Sequence, residues 1–238
     1  MEVRKIYIQI TDMKNRQLLL IICLLTIFNL PAINQHNDFG SWIELDLQAN
    51  ISDRMEASVK FSERFRNNIS QFDRSLNIAS LSYSLTQGFS VEGGYFFQIY
   101  NDNEMGLIYW HRFHGDFQYD KDIGNWSFQL RNRMQYAFNH FNEFGHLYSN
   151  KLVYRLKTKL TYDINTLPLE IYASSEAFVP ATDNRSFHAS MIRIEAGAEY
   201  DFSKNSDIVF GYLMDSKQNI TNPLRAHIIV ITFQYTLF

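Results

Sequence analysis

Between Tyr148 and Tyr162 hydrophobic and polar positions alternate with a period of two. Tyr148, Leu152, Tyr154, Leu156, Leu160 and Tyr162 make one face, and Lys151, Arg155, Lys157 and Lys159 make the other. Strand side chains point alternately to opposite faces, whereas a helix would spread these cations around its axis. The run is also long, since ordinary strands average about five to six residues. From Leu152 to Leu160 the chain extends about 26 Å at roughly 3.3 Å per residue. Tilted at about 40°, it covers roughly 20 Å of membrane normal, close to the apolar band of a transmembrane barrel. The tyrosines then fall where amphipathic rings are favoured, at the two interfaces.

The alternation recurs ten more times, over residues 42–49, 55–64, 74–85, 91–99, 109–119, 126–136, 169–177, 192–200, 208–214 and 229–237. The run 74–85 changes phase near Ala79 and Ser80, which predicts a β-bulge there. Short connections at Ser52-Asp53, Gln87-Gly88, Asp122–Asn125, Asp163–Thr166 and Ser203–Ser206 alternate with longer polar ones. The longer ones run over 66–73, 101–106, 139–146, 179–185 and 216–225, the asymmetry of periplasmic turns and outer loops. Strands this long cannot leave edges unpaired in lipid, so the array must close. The pattern predicts an all-β fold, a closed antiparallel transmembrane β-barrel. Eleven segments conflict with the even strand numbers of single-chain bacterial barrels. Ten strands are expected if Trp42–Ala49 does not span, or twelve if a weak strand adds to the count.

The N-terminus carries a different signal. Lys14 and Arg16 precede an apolar run from Leu18 to Phe28, and Pro31-Ala32 follow. A basic flank, a short apolar core and a polar exit make a secretory signal peptide, too short to span as a helix. Residues 1–34 are expected to be this signal, with Met13 an alternative start, and residues 35–238 the single barrel domain. Cys23 follows Leu20-Ile21-Ile22, which lacks the small residue that lipidation needs. Cleavage would leave the mature chain without cysteine, excluding disulfides and thiolate metal sites. An exported monomer of the bacterial outer membrane follows. Its expected partners are outer-membrane lipid and the barrel assembly machinery.

Net charge of −3 argues against a nucleic-acid binder. The slightly negative mean hydropathy excludes a helical membrane protein but not a barrel, half of whose strand residues face a polar lumen. No phosphate-cradling loop or zinc-ligand pattern is present, so no cofactor or metal is expected. His111 and His114, three apart on a strand, point to opposite faces and make a poor metal pair.

The chemistry therefore lies in the polar phase of the strands. The lumen-facing candidates are Arg112 and Asp116, then Arg131 and Arg133, then Lys151, Arg155, Lys157 and Lys159. Glu170, Glu176, Arg193, Glu195 and Glu199 complete the set, with Glu44 and Asp46 earlier in the chain. Closing the strands in sequence order predicts a basic wall facing an acidic one. That field would guide small polar or anionic solutes through a narrow, porin-like channel. The alternative is a structural barrel whose charges pair and close the lumen. An outer-membrane lipid-modifying hydrolase is a third reading, resting on Ser186-Phe187-His188-Ala189-Ser190. No nucleophile signature surrounds those residues, so none is assigned a catalytic role.

Several features resemble an uncharacterised outer-membrane barrel family, domain of unknown function family 2490. They are Phe39-Gly40-Ser41-Trp42, the Gly94-Tyr95 pair, Arg131-Asn132-Arg133 after Gly124-Asn125-Trp126, and the aromatic C-terminal residue. The resemblance spans Asp38 to Phe238. It implies an outer-membrane barrel and brings no known activity or catalytic residues.

Overall fold

A computed structural model of the chain describes residues 36–142, 151–181, 188–218 and 224–237. The expected signal segment lies outside them, as do Ser186 and Phe238. The described residues form eleven strands: β1 His36–Ser52, β2 Met55–Arg66, β3 Gln71–Thr86, β4 Phe89–Asp102, β5 Gly106–Ile123 and β6 Trp126–Asn142. They continue as β7 Lys151–Asp163, β8 Leu169–Pro180, β9 Met191–Ser203, β10 Ser206–Lys217 and β11 Leu224–Thr236.

Each strand pairs antiparallel with the next, and β1 closes the ring against β11. The expectation of ten or twelve strands is corrected to eleven. Directions around an all-antiparallel ring must alternate, which forces an even number. Here one seam is parallel: His36 to Gln48 lies alongside Leu224 to Thr236 in the same direction. The segment around Trp42–Ala49 is therefore a full strand, and none is missing. Both seam strands start at the end that carries the longer loops and finish at the end that carries the tight turns.

The two phases of each strand separate as the alternation requires. Ile43, Phe61, Phe113, Met134, Phe210 and Ile231 are exposed on the outer face. Trp42, Ser62, Gln98, Arg133, Glu176 and Thr232 are buried inside. The expected bulge at Ala79-Ser80 is absent: these two stay in continuous register with Val59 and Ser58 of β2 and with Tyr95 and Gly94 of β4. Register shifts fall instead opposite Arg64/Phe65 and between Ser84 and Thr86. The apparent change of phase has another cause. Leu76 and Ile78 point into the barrel although they are apolar, so the inner surface of β3 reads as an outer one. Turns are tight at the opposite end, where Gly88 takes a φ of +82° that other residues rarely adopt.

Candidate functional site: the barrel lumen

A barrel of about eight strands is just wide enough for side chains to fill. Eleven leave a cavity of about 450 Å³ along the axis. Among the described residues that line it, ten are cationic and four acidic. Arg112, Arg131, Arg133, Arg155, Lys157, Lys159, Glu176, Arg193, Glu195 and Glu199 are all in this lining. Three other expected residues are placed elsewhere. Asp116 is buried and held by Arg133. Lys151 and Arg112 both lie over the ring of Trp110, at 5.2 and 5.0 Å. Glu170 stands near the tight-turn end, in register with Asp163 on one side and Glu199 on the other.

The acids do not form a wall of their own. Most alternate with the cations around the ring, while Glu199 meets Asp201 and Asp207 near the tight-turn end. Arg133 donates Nε to Asp116 Oδ1 at 2.7 Å and Nη2 to Oδ2 at 2.6 Å, and its Nη2 also reaches Glu92 at 3.2 Å. Glu176 accepts from Arg155 at 3.0 and 2.8 Å and from Arg131 at 2.8 Å. Lys157 stands 3.7 Å from Glu195, which also accepts the Tyr172 hydroxyl at 2.8 Å. Arg193 grips Asp215 through two bonds of 2.7 and 2.8 Å. Across the ring, Lys60 pairs with Asp46 at 2.9 Å and Arg64 approaches Glu44 at 3.8 Å. The basic side of the lumen is thus largely compensated by its neighbours on adjacent strands.

Two cations escape this pairing. Among the described residues, neither Arg112 nor Lys159 has a carboxylate within ion-pair distance. Arg112 donates to Gln98 at 2.8 Å and keeps a buried Nε without a partner. Lys159 lies over the ring of Tyr172 at 4.7 Å.

The wall opposite β6 carries an apolar patch among polar residues such as Thr232 and Gln234. In a ring of eleven, β6 stands opposite the β11–β1 seam. There Val209 and Leu213 of β10 and Val230 of β11 line the same cavity, all buried. Leu213 and Val230 pack with Trp42, whose ring carries the guanidinium of Arg64 at 3.5 Å and that of Arg193 at 4.8 Å. Trp42, Arg64, Arg74, Met191 and Arg193 also border a second cavity of about 280 Å³ nearer the loop end. They are common to both linings. Trp42 is not among the expected lumen residues, although a tryptophan in the polar phase of the first segment signals an inward position. Lys60, Arg64 and Arg74 were likewise visible in polar phases of β2 and β3.

Glu92, His114 and Asp116 bring possible metal ligands together, but the Arg133 guanidinium already bonds both carboxylates and His114 bonds Glu92 at 2.8 Å. A cation already occupies that electrostatic niche. His111 faces outward and shares a 2.6 Å hydrogen bond with the Tyr95 hydroxyl. Of the hydrolase candidates, Ser190 donates to the carbonyl of Phe178 at 3.2 Å.

An apolar exterior around a charged, hollow interior defines a transmembrane β-barrel. The chain belongs to the family described as a protein of unknown function, DUF2490, whose pattern matches residues 39–225. Among solved structures it is similar to the NanC porin in a rhombohedral crystal form. That similarity covers 78% of this chain and 90% of that one, with 13% identity and a TM-score of 0.46. No curated protein matches the chain.

Proposed function

We propose that this protein is a narrow, porin-like channel of the bacterial outer membrane that favours small polar anions. The observation that carries the reading is the excess of cations along the cavity, ten against four acids, in a chain whose overall charge is negative. Charged side chains lining a pore set its selectivity. Two unpaired cations in that lining offer a moving anion places to rest. Outer-membrane lipid is the partner of the apolar exterior, and export through a signal peptide and the assembly machinery brings the chain there as a monomer.

A second reading has an observation of its own. Trp42, shared by both cavities and in contact with the guanidinium groups of Arg64 and Arg193, supports a closed structural barrel with a salt-bridged lumen. Planar bilayers separate the two. Under a potassium chloride gradient the purified barrel is expected to give discrete conductance steps and a reversal potential of the sign set by chloride. A silent bilayer favours the closed barrel, and a cation-selective current overturns the anion reading.

A further inference from the structure

The interior of a water-filled barrel is expected to be polar on every strand. This one breaks the rule on β10 and β11, where an apolar patch sits beside Thr232 and Gln234. Val209, Leu213 and Val230 hold inward positions where alternation calls for polar residues, and they border a cavity rather than a filled core. The same cavity presents Arg112, which donates to Gln98, and Lys159, over the Tyr172 ring, neither with a carboxylate within 4.0 Å among the described residues. A solute made only of polar groups would leave the apolar patch uncovered. A purely apolar one would leave the cations unmatched. Cavities that hold small molecules have volumes of about 300–1,000 Å³ and set apolar surface against a few placed polar groups. The 450 Å³ cavity falls in that range.

We propose that the lumen binds an amphiphilic organic anion, a carboxylate on a short aliphatic or aromatic body. The carboxylate lies toward the cations of β5–β7 and the body against Val209, Leu213 and Val230. This inference rests on the channel reading for transport but not for binding, so the two are tested apart. Calorimetric titration of the detergent-solubilised barrel with acetate, butyrate, hexanoate, gluconate and hexanol measures binding without a current. Affinity is expected to rise roughly two- to fourfold per added methylene from acetate to hexanoate, with gluconate no tighter than acetate. Hexanol, which has the body without the charge, is expected to bind at least about tenfold more weakly than hexanoate, the loss of a charge-assisted contact. Val209→Thr with Val230→Thr, which keep the shape and add hydroxyls, should flatten the series. A flat series in the natural protein overturns the proposal. So does hexanol binding as tightly as hexanoate, which marks partition into the micelle. A graded series that survives the double substitution also overturns it, since the wall would not be the site. Graded binding with a silent bilayer removes the channel and leaves the binding site. Chloride-selective conduction with a flat series does the reverse.

Discussion

At the scale of single residues, the interior is arranged by what small side chains leave room for. A Cβ on Gly94 would run into the His114 ring and stand 2.9 Å from the Ala79 carbonyl oxygen. His114 needs that space to reach Glu92, which Arg133 shares with Asp116. Gly197 and Gly211 do the same for Tyr172. Added Cβ atoms there would each lie 2.8 Å from its hydroxyl, which donates to Glu195. At the loop end a different device operates. Asn67, Asn68 and Ile69 all take positive φ, costly for non-glycine residues. The Asp38 carboxylate accepts the backbone N–H groups of Asn67 and Asn68 at 3.2 and 3.3 Å and offsets part of that cost. The glycine argument is directly testable, because Gly93 has nothing within 4 Å of its Cβ position. Gly94→Ala is expected to destabilise the barrel by about 1–3 kcal/mol. Gly93→Ala should change stability by no more than about 1 kcal/mol, and in the stabilising direction. Urea midpoints in detergent measure both. Equal shifts for the two variants would show that His114 yields freely and that the steric account is wrong.

At the scale of strands, most of the barrel was legible and its closure was not. All eleven alternating segments correspond to strands, because a lipid-facing phase must be apolar at every second position whatever its neighbours do. The charged lumen candidates followed from the same rule. Leu76 and Ile78 misled it, since the rule treats any apolar phase as outward and cannot know that part of an interior wall is also apolar. The expected acidic wall failed for a related reason. Sequence order places Glu176 after Lys159, but only cross-strand register puts it beside Arg155 and Arg131. The seam is a harder case. Whether first and last strands meet parallel depends on ring size and tilt, which no local pattern encodes. In the register observed, Gln48 of β1 faces Thr236 of β11 and both are half-buried near the tight-turn end. Register partners on neighbouring strands lie within the Cα separation a disulfide tolerates. With Cys23 replaced by Ser, Gln48→Cys with Thr236→Cys is expected to cross-link on mild oxidation and to migrate faster on a non-reducing gel. A ten-stranded ring that leaves β1 outside would keep both thiols free and titratable.

At the scale of the whole molecule, the distribution of charge matters more than its sum. The chain is net negative, yet cations outnumber acids ten to four along the cavity lining, so an anion preference must arise inside the barrel. Fields from such groups are screened over about 10 Å at 0.1 M salt and about 3 Å at 1 M. The chloride preference is therefore expected to be large at low ionic strength and to shrink at high. The paired arginines make a sharper test. Removing Arg131, Arg133 and Arg155 subtracts three positive charges and also uncovers the carboxylates they neutralise, Asp116, Glu176 and Glu92. Seven cations then face four acids along the cavity, and the field at mid-lumen weakens. Substitution of all three by glutamine should move the reversal potential toward the potassium side. Breaking a buried pair can cost about 3–5 kcal/mol, so the current is meaningful only if the variant keeps the unheated gel mobility of the folded barrel. A folded triple variant whose reversal potential stays where it was would mean that ions cross by a route these arginines do not line.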